Sequence, residues 1–348
     1  MVRRLPAQTK KMSKIAYLVF GYKNPQLLQR TINTLTTKRC AFFVHIDKKV
    51  DISQFSRIRD HNVFFADKRV VVRWGEFSGV DAILLLIRQA LDSAARYEHF
   101  VLLSGSEYPL RSGRYIESYL ERNQGSEFIS LLKMPSPGKP VSRVSIRRPE
   151  SDKRVRRLSW GVLAKLGLAE RDYRKCLKGL EPYSGITWWT LSRTACQYVV
   201  DFTIDNPHVA MFFRDSFAPE ESFIHTVLGN SPLRDRARGN LLFEDWSPMG
   251  GDPRMAVRGL LPRTLTKEHI ASFEAQEEVM LDDCYGRREA LFARKFSDEQ
   301  LDLVNRLDAL IARKEDREPC LSGPAISGQT PLRFGDAHGG TSCGEVQN

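Results

Sequence analysis

Short, nearly continuous apolar runs separated by helix-patterned stretches constrain this chain more than any other feature. Residues 15–20, 41–46, 63–65, 100–103 and 128–131 are each dominated by aliphatic and aromatic side chains. Runs of this length without polar alternation suit strands buried on both faces. Between them the period changes. Leu27, Leu28 and Ile32 recur at helical spacing, and Val80, Ile83, Leu84, Ile87 and Leu91 fall on one face of a second helix. Gly21 to Pro25 breaks the first run, and Asn24 before Pro25 suits a helix start. Strand, helix, strand, helix in this rhythm predicts an α/β fold, with a mixed, mostly parallel central sheet flanked by helices and right-handed crossovers. Ligands of such sheets bind beyond the carboxyl ends of the strands. The first places to look are therefore Gly21 to Lys23, Asp47 to Lys49, and Ser104 to Tyr108.

Beyond residue 132 the pattern changes. Residues 133–175 are rich in Lys, Arg, Pro and Ser and read as a basic surface excursion, a mobile loop over the active site. Globular patterning resumes at 185–193, and a last helix is predicted over 298–314 from Leu301, Leu303, Val304, Leu307, Leu310 and Ile311. One domain is thus expected over 14–316, between a basic N-terminal arm (1–13) and a Gly-, Ser- and Thr-rich tail (317–348) expected to be disordered. The first apolar run reaches only about a third of the way across a bilayer and lacks a small-residue cleavage site, so it reads as a strand and not as a signal or anchor. A cytoplasmic protein is expected, with a basic arm suited to an anionic membrane face.

Charge narrows the partners. Lys and Arg number 53 against 42 Asp and Glu, a net +11. Such a surplus fits nucleic acid, an anionic membrane or a phosphate-bearing substrate, and also fits a merely solvated basic surface. Binding of nucleic acid through 139–175 would require stacking aromatics among the cations, and only Trp160 and Tyr173 lie there. None is therefore expected as a partner. The six cysteines show no Cys-x-x-Cys pair. Cys40, Cys176 and Cys196 lie beside apolar runs, and a chain of this length does not need disulfides, so reduced thiols are expected.

Neither a P-loop nor a dinucleotide fingerprint, a nucleophile elbow or a His-Glu-x-x-His helix is present. No Asp-x-Asp ends a predicted strand, and the nearest approach, Asp282-Asp283, lies outside the sheet. Bound phosphates would have to be met by side-chain cations. Glu220 and Glu221 open a helix-patterned stretch, where acids either complement a helix start or serve as a base. Asp47 reads either as a turn cap or as an acceptor for a ligand's N–H or hydroxyl groups. Gly21 lets backbone approach a ligand closely. Adjacent in a strand, Trp188 and Trp189 would point to opposite faces, one to the core and one free to stack on a sugar. Ser104, Ser106 and Glu107 can meet sugar hydroxyls, or Glu107 can fix the turn before Pro109. His225, one turn after Glu221, either orients it or packs.

Seven blocks in order resemble the Core-2/I-branching glycosyltransferase family, which includes β-1,6-N-acetylglucosaminyltransferases and peptide O-xylosyltransferases. They are residues 16–25; Val44-His45-Ile46-Asp47-Lys48-Lys49; Trp74-Gly75-Glu76-Phe77-Ser78; Leu103-Ser104-Gly105-Ser106-Glu107-Tyr108-Pro109-Leu110; Trp188-Trp189-Thr190-Leu191-Ser192-Arg193; residues 219–228 around Glu221; and Phe292-Ala293-Arg294-Lys295-Phe296. The resemblance implies a GT-A type fold and inverting, metal-independent transfer of GlcNAc or xylose from a UDP-sugar to a hydroxyl of a glycan, glycolipid or protein acceptor. It makes Glu221 the base and Glu220 the helix-start charge. It assigns Arg263 and Lys295 to the diphosphate and Asp47 to the uridine, with no metal. The stretch 221–228 leans towards the xylosyltransferases. The animal enzymes of the family carry a membrane anchor, a stem and many disulfides; none is evident in this sequence, so a soluble or peripheral relative acting on a different acceptor is expected. A catalytically inactive sugar-binding relative is the alternative, and the retained Glu221, Arg263 and Lys295 argue against it.

Overall fold

Strands β1 (Ile15–Gly21) and β2 (Cys40–Ile46) are buried along almost their whole length. With β3 (Val63–Phe65), β4 (His99–Leu103) and β8 (Thr190–Ser192) they form a sheet of order β3-β2-β1-β4-β8. All neighbours are parallel except the antiparallel pair β4–β8. This computed structural model describes residues 14–148, 167, 169–247 and 262–317. The arm 1–13, Trp160 and the tail from 318 lie outside the described residues.

Side chains sort with the period of two that a strand imposes. Ala16, Leu18, Phe43, Phe100 and Leu102 pack against Val80, Ile83, Leu84 and Ile87 of helix α2 (Ser78–Leu91). Their neighbours Tyr17, Val19, Phe42, Val44, Val101 and Leu103 face α1 (Pro25–Leu35) and α3 (Gly113–Arg122) through Leu28, Ile32, Ile116 and Leu120. Covering both faces of the sheet is what makes its strands read as unbroken apolar runs. Gly113 lets α3 approach α1: a Cβ there would lie 2.4 Å from the Leu35 carbonyl oxygen.

A smaller sheet carries part of the site. Strand β12 (Phe292–Arg294) runs antiparallel to β5 (Glu107–Pro109) and parallel to β9 (Leu242–Glu244). Its register sets Arg294 opposite both Glu107 and Glu244. The last helix, Leu301–Arg317, follows a 3₁₀ turn at Asp298–Gln300 and buries Leu303, Val304, Leu307, Leu310 and Ile311.

Several expectations need correction. Residues 128–131 are buried but form no strand; Phe128 makes an isolated bridge to Thr190. Pairing instead joins β6 (Leu132–Lys133) to β7 (Tyr183–Ser184). An apolar run reports burial, and it carries no information on ladder partners. Trp188 and Trp189 precede β8 and do not lie in it. Helix α1 does start at Pro25 after Asn24, as expected, but Asn24 has left-handed backbone (φ 60°) and its side chain makes no cap bond. Asp298 supplies the cap, accepting from Leu27 N at 2.8 Å and Gln26 N at 3.3 Å. The described part of 133–175 is docked: Arg171 stacks 3.7 Å above the Phe212 ring and donates to Ser216 Oγ. Cys40, Cys176 and Cys196 are free thiols, but Cys284 is disulfide-bonded, which no cysteine spacing in the sequence revealed. Asp283 is taken by Arg288 in a two-bond pair at 2.7 Å.

Candidate active site

The carboxyl ends of β1 and β4 meet. Gly21 closes β1, and a Cβ there would stand 3.7 Å from the Ser104 carbonyl oxygen. Gly105, at φ +73°, packs against the Gly21 Cα. Gly21 O accepts from Asp47 N at 2.9 Å, which brings the end of β2 alongside. Asp47 is buried and structures its own loop: Oδ1 accepts from Lys49 N at 3.0 Å and Val72 N at 3.3 Å, and Lys49 Nζ lies 3.3 Å from Oδ2. The turn-cap reading of Asp47 therefore describes its present contacts.

Glu107 likewise fixes the turn it ends. Its carboxylate accepts from Ser104 N (2.6 Å), Ser104 Oγ (2.7 Å) and Ser106 N (3.3 Å). It is 1% exposed, so it is not open to a sugar hydroxyl. Ser106 Oγ accepts from Asn24 Nδ2 at 3.4 Å. Arg294 bridges two strands, with Nε 3.0 Å from Glu107 Oε1 and a 3.1 Å hydrogen bond to Glu244 Oε1. Its guanidinium lies 4.7 Å above the Trp188 ring, which stacks on Phe20. Trp188 is thus half-buried beside the charged triad, while Trp189 is in the core, where its Nε1 meets no partner among the described residues. Of the two tryptophans, Trp189 takes the core position, and Trp188 lies against Arg294 and Phe20.

Cations gather at the end of β12. Half-burial, then Arg294 and Lys23, push the Lys295 amine down to about 8. Residues 263–265 run beside it: Arg263 N donates to Asp245 O at 2.8 Å, and Leu265 N donates to Lys295 O at 3.0 Å. The Arg263 guanidinium donates to Ser247 Oγ at 3.0 Å, lies 3.7 Å from Asp245 Oδ2 and stays 39% exposed. At Lys295, Glu244 and Glu107 offset the lowering only in part, and a diphosphate beside the amine would favour its charged form.

Glu221 ends a one-turn 3₁₀ segment, Pro219–Glu221, entered through Ala218 at φ 48° and followed by the buried helix Phe223–Gly229. Ser184 Oγ and Gly185 N both donate to its carbonyl, at 2.7 and 3.0 Å. Its carboxylate oxygen Oε2 accepts from Lys139 Nζ at 2.5 Å and Arg143 Nη1 at 2.7 Å. Burial pushes this carboxyl up, but the two cations outweigh burial and hold it below its ordinary value. Glu220 goes the other way. Burial, with the charge of Glu221 adding to it, pushes its carboxyl up to about 7. Glu220 was expected to serve the helix that follows; it lies instead beside Gly79 in the first turn of α2. His225 does not orient Glu221. Its Nε2 bonds Ile186 O at 3.0 Å, and burial pushes the ring down to about 4, leaving a neutral imidazole.

The two halves of the site share one chain segment. Gly185 holds the Glu221 carbonyl, and Trp188 lies under Arg294. Three residues of extended chain reach at most about 10 Å. Sequence reasoning missed Lys139, Arg143, Arg294 and Glu244. The first two are cations in a Lys/Arg-rich stretch, where nothing local separates an ion-pair partner from a solvated side chain. Arg294 had a signal, its place beside Lys295 in a matched block.

The family model "Core-2/I-Branching enzyme" matches residues 15–274. Xylosyltransferase 1 of Rattus norvegicus is 28% identical over 244 residues, 67% of this chain and 28% of that protein. Human xylosyltransferase 2 is 28% identical over 245 residues, 67% of this chain and 27% of that protein. The chain thus spans little more than a quarter of the curated relatives it matches. Among solved structures, 4-diphosphocytidyl-2C-methyl-D-erythritol synthase of Anaerococcus prevotii overlaps 59% of this chain and 84% of its own, with 10% identity and a TM-score of 0.29. That likeness is too slight to carry an argument. The ordered blocks and the family match over three quarters of the chain agree: this chain belongs to the Core-2/I-branching enzyme family.

Proposed function

We propose that the chain is an inverting glycosyltransferase of GT-A type that moves xylose or GlcNAc from a UDP-sugar to a hydroxyl of a glycan, glycolipid or protein. Glu221 takes the proton from the acceptor hydroxyl as its oxygen attacks the anomeric carbon from the face opposite UDP. The leaving diphosphate gains charge, and Arg263 and Lys295 meet it without a divalent metal. Asp47 and Gly21 lie where the uridine would rest, and Trp188, with Ser104 and Ser106, where sugar would lie. One observation supports the reading most: a partly buried carboxylate at the family's base position is kept ionised by two cations, with the half-buried amine of Lys295 a short segment away. The relatives matched are xylosyltransferases, which favours xylose as the donor sugar.

The test is a panel of UDP-sugars with Glu221→Gln. Binding of UDP by calorimetry should survive this change while transfer falls by about 10³-fold or more. Turnover near that of the unaltered protein would reject Glu221 as base. Activity should also persist in EDTA; a loss restored by added metal would reject the two-cation scheme.

A further inference from the structure

We propose that Lys139 and Arg143 are positioning residues for the base: together they anchor one oxygen of Glu221, keep the group ionised and leave its other oxygen free for the acceptor hydroxyl. The inference rests on the reading of Glu221 as the base. Both cations converge on Oε2, and Oε1 takes no hydrogen bond from the described residues. Lys139 is only 17% and Arg143 11% exposed, while Glu221 keeps 26%. Withdrawing two cationic heads from water for one carboxylate leaves a surplus positive charge, which stability alone does not favour. Nor is the pair needed to dock its segment. Backbone bonds already do that: Phe217 N to Arg143 O at 3.0 Å and Arg148 N to Asp215 O at 2.7 Å. Lys139 is itself located by Gly185 O at 3.1 Å, on the segment that leads to Trp188.

Glu220 serves as the internal control. It adjoins Glu221 and is buried as well, but neither cation bonds it, and its carboxyl stands at about 7. A base left in that condition would be about half protonated near neutrality, and the protonated half could not accept a proton. The charged and titratable groups facing the Glu221 carboxylate are Lys139, Arg143 in the short helix α4 (Ser142–Ser145), Glu220 and, from the following helix, His225. Burial keeps His225 neutral, and Glu220 opposes ionisation, so the two cations alone favour it. The cost is basicity: a carboxylate with a lowered pKa is the weaker base, and orientation and a full negative charge have to compensate.

The test follows the carboxyl directly. Glutamate ¹³C-carboxyl NMR, with the Glu221 signal assigned by its loss in Glu221→Gln, gives the midpoint without any turnover. The Lys139→Gln/Arg143→Gln double variant should raise that midpoint, because burial is then unopposed. Lys139→Arg/Arg143→Lys should leave it in place. Should thermal melting show the double variant unfolded, the two single variants carry the test, each with a smaller rise. Alongside, turnover of UDP-xylose and UDP-GlcNAc should show its acid limb moving with the midpoint, so that the double variant loses several-fold more activity than the unaltered protein between pH 8 and pH 5. An unmoved midpoint overturns the clamp and leaves Glu221 as base. A moved midpoint with an unmoved acid limb overturns the proposal together with the base assignment.

Discussion

Glu220 makes a quantitative prediction. Its carboxyl rises from an ordinary 4.5 to about 7 through burial and the neighbouring charge of Glu221. The native state therefore binds more protons than the unfolded state between those values, and stability falls as pH rises across that window. The stabilising protonation is complete below pH 4.5 and gone above about 7. Each pKa unit is worth about 1.4 kcal/mol, so ionised Glu220 weakens the native state by about 3 kcal/mol. Between pH 5 and pH 8 the change is about 2–3 kcal/mol, because at pH 5 part of the effect has already appeared. Glu220→Gln removes this titration while keeping size and an acceptor oxygen. Urea unfolding of both proteins at pH 5 and pH 8 is the assay. The variant should gain about 2–3 kcal/mol on the native protein between the two pH values, a relative midpoint shift of about 1 M urea. The comparison cancels other groups, including the histidines held near 4 (His45, His99 and His225). A stability difference that is the same at both pH values would refute the buried, neutral Glu220.

Two further perturbations probe the frame around the site. Asp298→Ala removes the carboxylate that caps α1, and unfolding should show a loss of about 1 kcal/mol; no loss would mean that Asn24 or solvent caps the helix. Gly113→Ala places a methyl group 2.4 Å from the Leu35 carbonyl oxygen, so α1 and α3 must separate. A loss of about 1–3 kcal/mol is expected by the same measurement, and an unchanged midpoint would mean that the two helices part freely.

The parts of this molecule that were legible in sequence share a physical origin. Burial on both faces of a sheet writes itself as a continuous apolar run, so β1, β2 and α2 could be placed from residues alone. Lys295 and Glu221 were legible through the blocks around them. What stayed hidden depends on partners distant in sequence. Asp298 caps a helix 271 residues before it. Lys139 and Arg143 reach Glu221 across 82 and 78 residues. Arg294 meets Glu107 and Glu244 only because three strands pair in one register. A cation that neutralises a buried acid and a cation that points into solvent look alike in a Lys/Arg-rich stretch.

Glu220 and Glu221 bring that limit down to neighbouring residues. Apart from the family resemblance, nothing local in the sequence separates two adjacent acids after a proline. A single 3₁₀ turn sends Glu220 towards the first turn of α2 and Glu221 towards Lys139 and Arg143. Burial acts on both; Arg143 opposes it weakly at Glu220, whereas Lys139 and Arg143 both bond Glu221 directly and outweigh it there. Their pKa values move apart in opposite directions, which separates a group that stays ionised at neutral pH from one that does not. In this reading the family motif specifies where a base can stand, and the basic stretch that precedes it in sequence decides which of the two acids is one.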